Sequence, residues 1–138
     1  MKSTHIASLA LAALLTISAS SVRGDTDSYQ ESLKRRDSIL LQIVAELENR
    51  RASGKADDEA VFSAKLALYR FRRDTASSKV EKLANQRKIV KECDARLARL
   101  ITFAEKGSFD SLEMLRAKDA VLEANLLLQE LKSSERKA

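Results

Sequence analysis

The chain has no proline, no tryptophan, three glycines and one cysteine among its 138 residues, and aromatic side chains make up 4% of it. A β-sandwich or barrel needs turns rich in glycine and proline, and strands rich in β-branched and aromatic residues. This composition excludes both. A single cysteine cannot form an internal bridge, which excludes a disulfide-stapled scaffold. Charge is abundant, at 33%, and leucines and alanines recur among the charged residues with helical spacing. The class that remains is all-α.

Histidine is almost as scarce. The only one is His5, inside an N-terminal stretch that reads as removable. Without it the chain has neither histidine-assisted nucleophile activation nor the usual zinc ligand. Cys93 has no histidine to activate it, and it stands among Val90, Leu97 and Leu100 at a helical core position, where a buried and inert thiol is expected. A Gly-rich phosphate loop, a Glu-x-x-His diiron pattern and an Asp/Asn-rich calcium loop are all missing. The many carboxylates alternate with Lys and Arg at helical spacing, as solvated faces do. No catalytic residue, metal site or cofactor is expected, and the chain does not read as an enzyme.

Residues 1–24, MKSTHIASLALAALLTISASSVRG, have the order of a secretory signal: Lys2, an apolar stretch from Ile6 to Ile17, then Ser18, Ala19, Ser20 and Ser21. Spanning a bilayer takes roughly 20 apolar residues, so a cleaved signal is expected rather than an anchor. The cut should fall between Ser20 and Asp25. The expected location is periplasmic in a two-membrane bacterium and secreted otherwise. The whole chain carries 25 basic and 20 acidic residues; losing Lys2 and Arg23 leaves 23 against 20, a net charge of +3. Nucleic acid is an improbable partner for an exported chain, and a lone cysteine in an oxidising compartment invites an intermolecular disulfide.

The remainder, residues 25–138, reads as a single domain of antiparallel helical hairpins. Asp27 or Ser28 can cap a first helix running to about Ala52, with Leu33, Leu40 and Leu47 at period seven. Gly54 ends it, as glycine does where a helix terminus needs positive φ. Asp57 is the next N-cap candidate, followed by Asp58 and Glu59 in the favourable first turn. Gly107 is the second break. Asp110 with Glu113 starts a last helix to about Leu131, whose seam is Met114, Ala117, Val121, Ala124, Leu128 and Leu131.

Between the two glycines, Phe62, Tyr69, Ala76, Leu83, Val90, Leu97 and Ala104 follow one another at period seven. That unbroken phase, with no Gly or Pro, predicts one helix of about 48 residues, roughly 70 Å long. The alternative is a break near Ser77, because Asp74-Thr75-Ala76-Ser77-Ser78 has hydroxyl side chains that compete for backbone hydrogen bonds. A long middle helix implies a rod two helices thick. A break implies a compact four-helix bundle.

An internal repeat with an offset of 53 residues runs through this pattern. It sets Gly54 on Gly107, Asp57 on Asp110, Ala64 on Ala117, Lys65 on Lys118 and Ala67 on Ala120. Val61/Met114, Phe62/Leu115, Leu68/Val121 and Tyr69/Leu122 also fall together, giving units of about 27–74 and 78–134. The run FAEKGSFDSLEMLRAKDAVLEANLLLQEL resembles the turn-and-helix segment of TolC-type outer-membrane efflux proteins. Phe103, Gly107, Leu112, Leu115, Ala117, Ala120, Leu122 and Ala124 stand at that segment's aromatic, glycine, hydrophobic-pair and Ala-rich positions. The resemblance covers about 30 residues well and the first unit faintly. It implies a helical hairpin and a habit of side-by-side packing, but not a channel, since nothing here could supply the family's barrel strands.

The strongest local charge lies between Arg70 and Lys91. Arg70, Arg72, Arg73, Lys79, Lys82, Arg87, Lys88 and Lys91 face only Asp74 and Glu81 there. One reading is a docking surface for anionic lipid, envelope polymer or an acidic protein. The other is a solvated face balanced by acids on neighbouring helices. Apolar residues outside the seams, such as Leu112, Leu115 and Leu122, would stay wet unless chains associate. A homo-oligomer, or pairing with another helical envelope protein, is therefore expected. The function that follows is a non-catalytic envelope scaffold, adaptor or self-assembling rod. The alternative is a periplasmic chaperone or polyanion-binding module, loosely on the pattern of the small basic Skp proteins, whose β-rich body this chain lacks.

Overall fold

The computed structural model describes residues 7–134 apart from residue 109, with side chains described from Gly24 onward. They form four helices: α1 Ala7–Ala52, α2 Asp58–Thr75, α3 Lys79–Glu105 and α4 Ser111–Ser133. There is no strand among the described residues, and the protein is all-α. The chain divides into two compact units, residues 1–36 and 37–138. The first contains the N-terminal part of α1. The second contains the rest of α1 and the three other helices, and everything below concerns it unless stated.

The expected helix start at Asp27 or Ser28 is not used in the full chain. α1 begins at Ala7 and passes through both residues, and the Ser28 carbonyl accepts from the Ser32 hydroxyl one turn on (2.9 Å). The expected signal, residues 1–24, lies largely outside the described residues, since only its helical backbone from Ala7 and Gly24 are described. No described helix is long and apolar enough to cross a membrane.

Two of the three turns are built alike. Gly54 has φ +71° and Gly107 φ +86°, the left-handed region where an L side chain is strained. The Gly54 amide donates to the Arg51 carbonyl (3.0 Å) and the Lys55 amide to the Arg50 carbonyl (2.7 Å). Fifty-three residues on, the Gly107 amide donates to Ala104 (3.0 Å) and the Ser108 amide to Phe103 (3.0 Å). Each pair is a Schellman motif, which satisfies carbonyls that a helix C-terminus would otherwise leave bare. Three residues after each glycine an aspartate caps the next helix. Asp57 accepts from the Ala60 amide (2.7 Å), and Asp110 from the amides of Leu112 (2.9 Å) and Glu113 (3.1 Å).

The third turn overturns the expectation of one long middle helix. α2 ends at Thr75, Ala76 is extended (φ −63°, ψ 133°), and Ser78 caps α3 by accepting from the Glu81 amide (3.2 Å). The Thr75 hydroxyl turns back onto the Phe71 carbonyl (2.8 Å), helping to close α2. No positive φ is involved, so neither glycine nor proline is needed. The heptad phase through Ala76 is a coincidence of register between two helices, so the premise behind a two-helix-thick rod does not hold.

α3 packs against both α2 and α4. Glu59 pairs with Arg96 and Arg73 with Gln86, so α2 and α3 run antiparallel; Arg96 near Glu113 and Lys79 bonded to Ser134 set α3 antiparallel to α4. On the other side Arg72 holds Asp37 and Lys65 holds Glu48, aligning α2 antiparallel to the C-terminal part of α1. Val61, Lys65, Leu68 and Arg72 share one stripe of α2, which those ion pairs place against α1. The core joins Phe62 and Leu66 of α2, Ile89 and Cys93 of α3, and Ala124 of α4, with Tyr69, Val90, Ala120 and Val121 around it. The expected α4 seam faces inward: Met114, Ala117 and Ala124 are buried, and Val121, Leu128 and Leu131 half-buried.

Candidate functional site

The fold divides the eight basic residues of the centre into two groups. Arg72 makes a bidentate pair with Asp37 (2.6 and 2.8 Å). Its guanidinium holds the Asp37 carboxyl below its usual range, chiefly through the hydrogen bond, while burial works the other way. Arg73 donates to Asp74 (2.7 Å) and to the Gln86 side chain (2.9 Å), and Lys79 to the Ser134 hydroxyl (2.8 Å). These three cations are used internally, as braces between helices.

Arg70, Arg87, Lys88 and Lys91 are exposed, and Lys82 is half-buried. Lys88 lies over the Tyr69 ring, 5.4 Å from its centre, a cation–π contact across the α2–α3 junction. Among the described residues Arg70, Lys82, Arg87 and Lys91 have no ion-pair partner. Arg87, Lys88 and Lys91, at i, i+1 and i+4, share the solvent face of α3. The sequence placed eight charges in one cluster; the structure leaves a smaller surface.

Gln86 was not picked out by the sequence. It is 1% exposed, accepts from Arg73 and donates to the Ala124 carbonyl (2.8 Å), so one side chain ties α2, α3 and α4. The available signal was its place in the series of polar residues lying three after each heptad position (Lys65, Arg72, Lys79, Gln86). Lys65 in that series is also bonded, 2.8 Å from Glu48, and that hydrogen bond raises its pKa above the ordinary lysine value.

Cys93 is buried at 3% exposure, and burial pushes its thiol up from the ordinary value. A thiol so placed is a poor nucleophile and is out of reach of a second chain's cysteine. At the Gly54/Gly107 end lies a shallow depression of about 250 Å³ between the start of α2, the end of α3 and the start of α4. Arg96 spans it, donating to Glu59 (2.8 Å), standing 3.6 Å from Glu113 and covering the Phe62 ring at 5.1 Å. The two carboxylates are thus engaged with one guanidinium, an arrangement that braces the three helix ends. Among the described residues no group of three His, Cys, Asp or Glu side chains could hold a metal ion.

No protein-family model matches the chain, and neither does any curated protein or solved structure.

Proposed function

We propose that the protein is a non-catalytic, exported helical scaffold or adaptor that works through the outer faces of its hairpins. The observation that carries this reading is the apolar face of α4. Leu112, Leu115, Leu122 and Leu126 are 54%, 62%, 64% and 60% exposed. At 3.6 residues per turn they fall within an arc of about 80°. Single exposed leucines are ordinary; four on one helix face mark a contact surface. The resemblance of residues 103–131 to TolC-type hairpins supports the same use, since those hairpins pack side by side. Export rests on the order of Lys2, the apolar stretch and the small residues after it.

The second reading, docking on anionic lipid or envelope polymer, is favoured by the exposed Arg87, Lys88 and Lys91. It does not draw on Arg72 or Arg73, whose charges are engaged within the fold.

Site-specific photo-crosslinking in cells tests the scaffold reading. A photoreactive residue at Leu122 should give a discrete adduct in the envelope or secreted fraction, and one at the exposed Lys132 should give none. No adduct from any of the four leucine positions would remove the reading.

A further inference from the structure

We infer that α4 of one chain packs against α1 of a second copy, in a head-to-tail array that reproduces the α2–α3 junction inside each chain. This inference rests on the scaffold reading and names the partner.

The argument starts from the two matched turns. Gly54 and Gly107 have the same capping bonds and are followed at the same distance by an aspartate cap, so the 53-residue offset relates α1–α2 to α3–α4 as structural equivalents. The first pair is followed by a further helix: α2 has α3 on its outer side. Several α2 residues make side-chain contacts to α3 there: Lys65 stands 3.9 Å from Glu92, and Leu66 shares the core with Ile89 and Cys93. Glu59 bonds Arg96, Phe62 lies under Arg96, Tyr69 lies under Lys88 and Arg73 bonds Gln86.

Adding 53 to Lys65 and Leu66 gives Lys118 and Asp119; adding it to Glu59, Phe62, Tyr69 and Arg73 gives Leu112, Leu115, Leu122 and Leu126. These last four are the exposed leucines of α4. The face that α2 uses to hold its next neighbour is therefore present on α4, carries leucine at four of these six positions, and has no described helix on it. The inner faces of α2 and α4 lie in the same register, since Val61 and Met114 are both buried.

The complementary surface follows from the same offset. Across the α2–α3 junction α3 presents Glu92, 3.9 Å from Lys65, and Arg96. Their equivalents on α1 are Ile39 and Ile43, which are 56% and 43% exposed. Around Phe62 the internal junction is held by ion pairs, and there the outer surfaces carry Leu112, Ile39 and Ile43 in place of Glu59, Glu92 and Arg96, while Lys88 has the charged Arg35 as its α1 equivalent. In an array of stacked helical repeats a terminal unit that faces water carries a polar outer face. Here both outer faces carry a cluster of exposed leucine or isoleucine instead, Leu112, Leu115, Leu122 and Leu126 on α4 and Ile39 and Ile43 on α1. The contact joins two different surfaces, so it is heterologous and propagates into a ring or a filament.

The test uses the purified chain as cells deliver it, with mass measured by light scattering or sedimentation over a range of concentrations. The wild type should grow beyond a dimer as concentration rises. Leu115→Glu with Leu122→Glu should be monomeric, and so should Ile39→Glu with Ile43→Glu, because each lacks one of the two surfaces. Mixed in equal amounts, these two variants should form a species of twice the monomer mass, since each retains the face the other has lost. Far-UV circular dichroism checks that helicity is kept; if a Glu variant loses it, the Gln versions replace it.

An α1-face variant that still dimerises while the α4-face variant does not would show a symmetric α4–α4 contact and overturn the proposal. So would a wild type that stays monomeric. In that last case an adduct at any of the four leucines in cells leaves the scaffold reading standing with a different helical partner, and the absence of all four removes both.

Discussion

At the scale of the residue, the polar side chains inside the fold set its tolerances. Gln86→Leu is close in size but takes away one of the two acceptors of the Arg73 guanidinium, leaving only Asp74, and removes the bond to Ala124. A loss of about 1–3 kcal/mol is expected from chemical denaturation. Gly54 and Gly107 have open space where a Cβ would stand, so the cost of a side chain there comes from φ alone. Gly107→Val should lower stability by about 1–2 kcal/mol, and Gly107→Asn by less, because Asn tolerates the left-handed region. The Asp37–Arg72 pair gives a signed pH dependence. The folded pKa of Asp37 is depressed below 3.8, so its contribution is full above that value and is lost as the pH falls through the lower, folded value. Unfolding followed from neutral to strongly acid pH should show this loss in the wild type, and a shallower acid slope in Asp37→Asn.

At the scale of the element, two turns could be read from the sequence and one could not, for a physical reason. Gly54 and Gly107 are visible because a Schellman end requires positive φ and glycine supplies it. The turn at Ala76–Ser78 uses only extended backbone, which any residue adopts, so its sole marks are a hydroxyl cluster and the Ser78/Glu81 spacing. Phe62 to Ala104 at period seven masks those marks, because periodicity says which face is apolar and not whether the helix is continuous. The basic centre was legible as composition only. Which arginines are braces depends on Asp37 and Gln86, 35 and 13 residues away in sequence, and pairwise contacts at that range leave no trace in a local count. Ser78 now carries a prediction of its own. Ser78→Ala removes the acceptor for the Glu81 amide and should cost about 1 kcal/mol. A similar loss is expected for Asp110→Ala, read from the shift in the denaturation midpoint. No change in the Ser78 variant would mean that α3 is held in place by packing against α2 and α4 alone.

At the scale of the whole molecule, the two surfaces left outward differ in kind, and salt separates them. The α4 and α1 faces centre on exposed leucine and isoleucine, so association through them comes chiefly from removing apolar area from water. The α3 face is Arg87, Lys88 and Lys91, and any hold it has on an anionic surface is Coulombic. The screening length falls from about 8 Å at physiological ionic strength to about 3 Å at 1 M, which leaves apolar burial intact and removes most attraction between exposed charges. Raising the salt over that range should therefore leave self-association unchanged or slightly stronger. Binding to vesicles rich in acidic lipid should be lost over the same range. It should also be lost at low salt in a variant with Arg87→Gln, Lys88→Gln and Lys91→Gln, which keeps its helicity and its assembly. Arg72→Gln with Arg73→Gln should behave in the opposite way, lowering the melting temperature while the exposed cations of α3 still bind the vesicles. If the Arg72/Arg73 variant is as stable as the wild type and the α3 variant binds vesicles undiminished, the division of the basic centre into braces and docking charges is wrong. The charge that matters would then lie elsewhere on the chain.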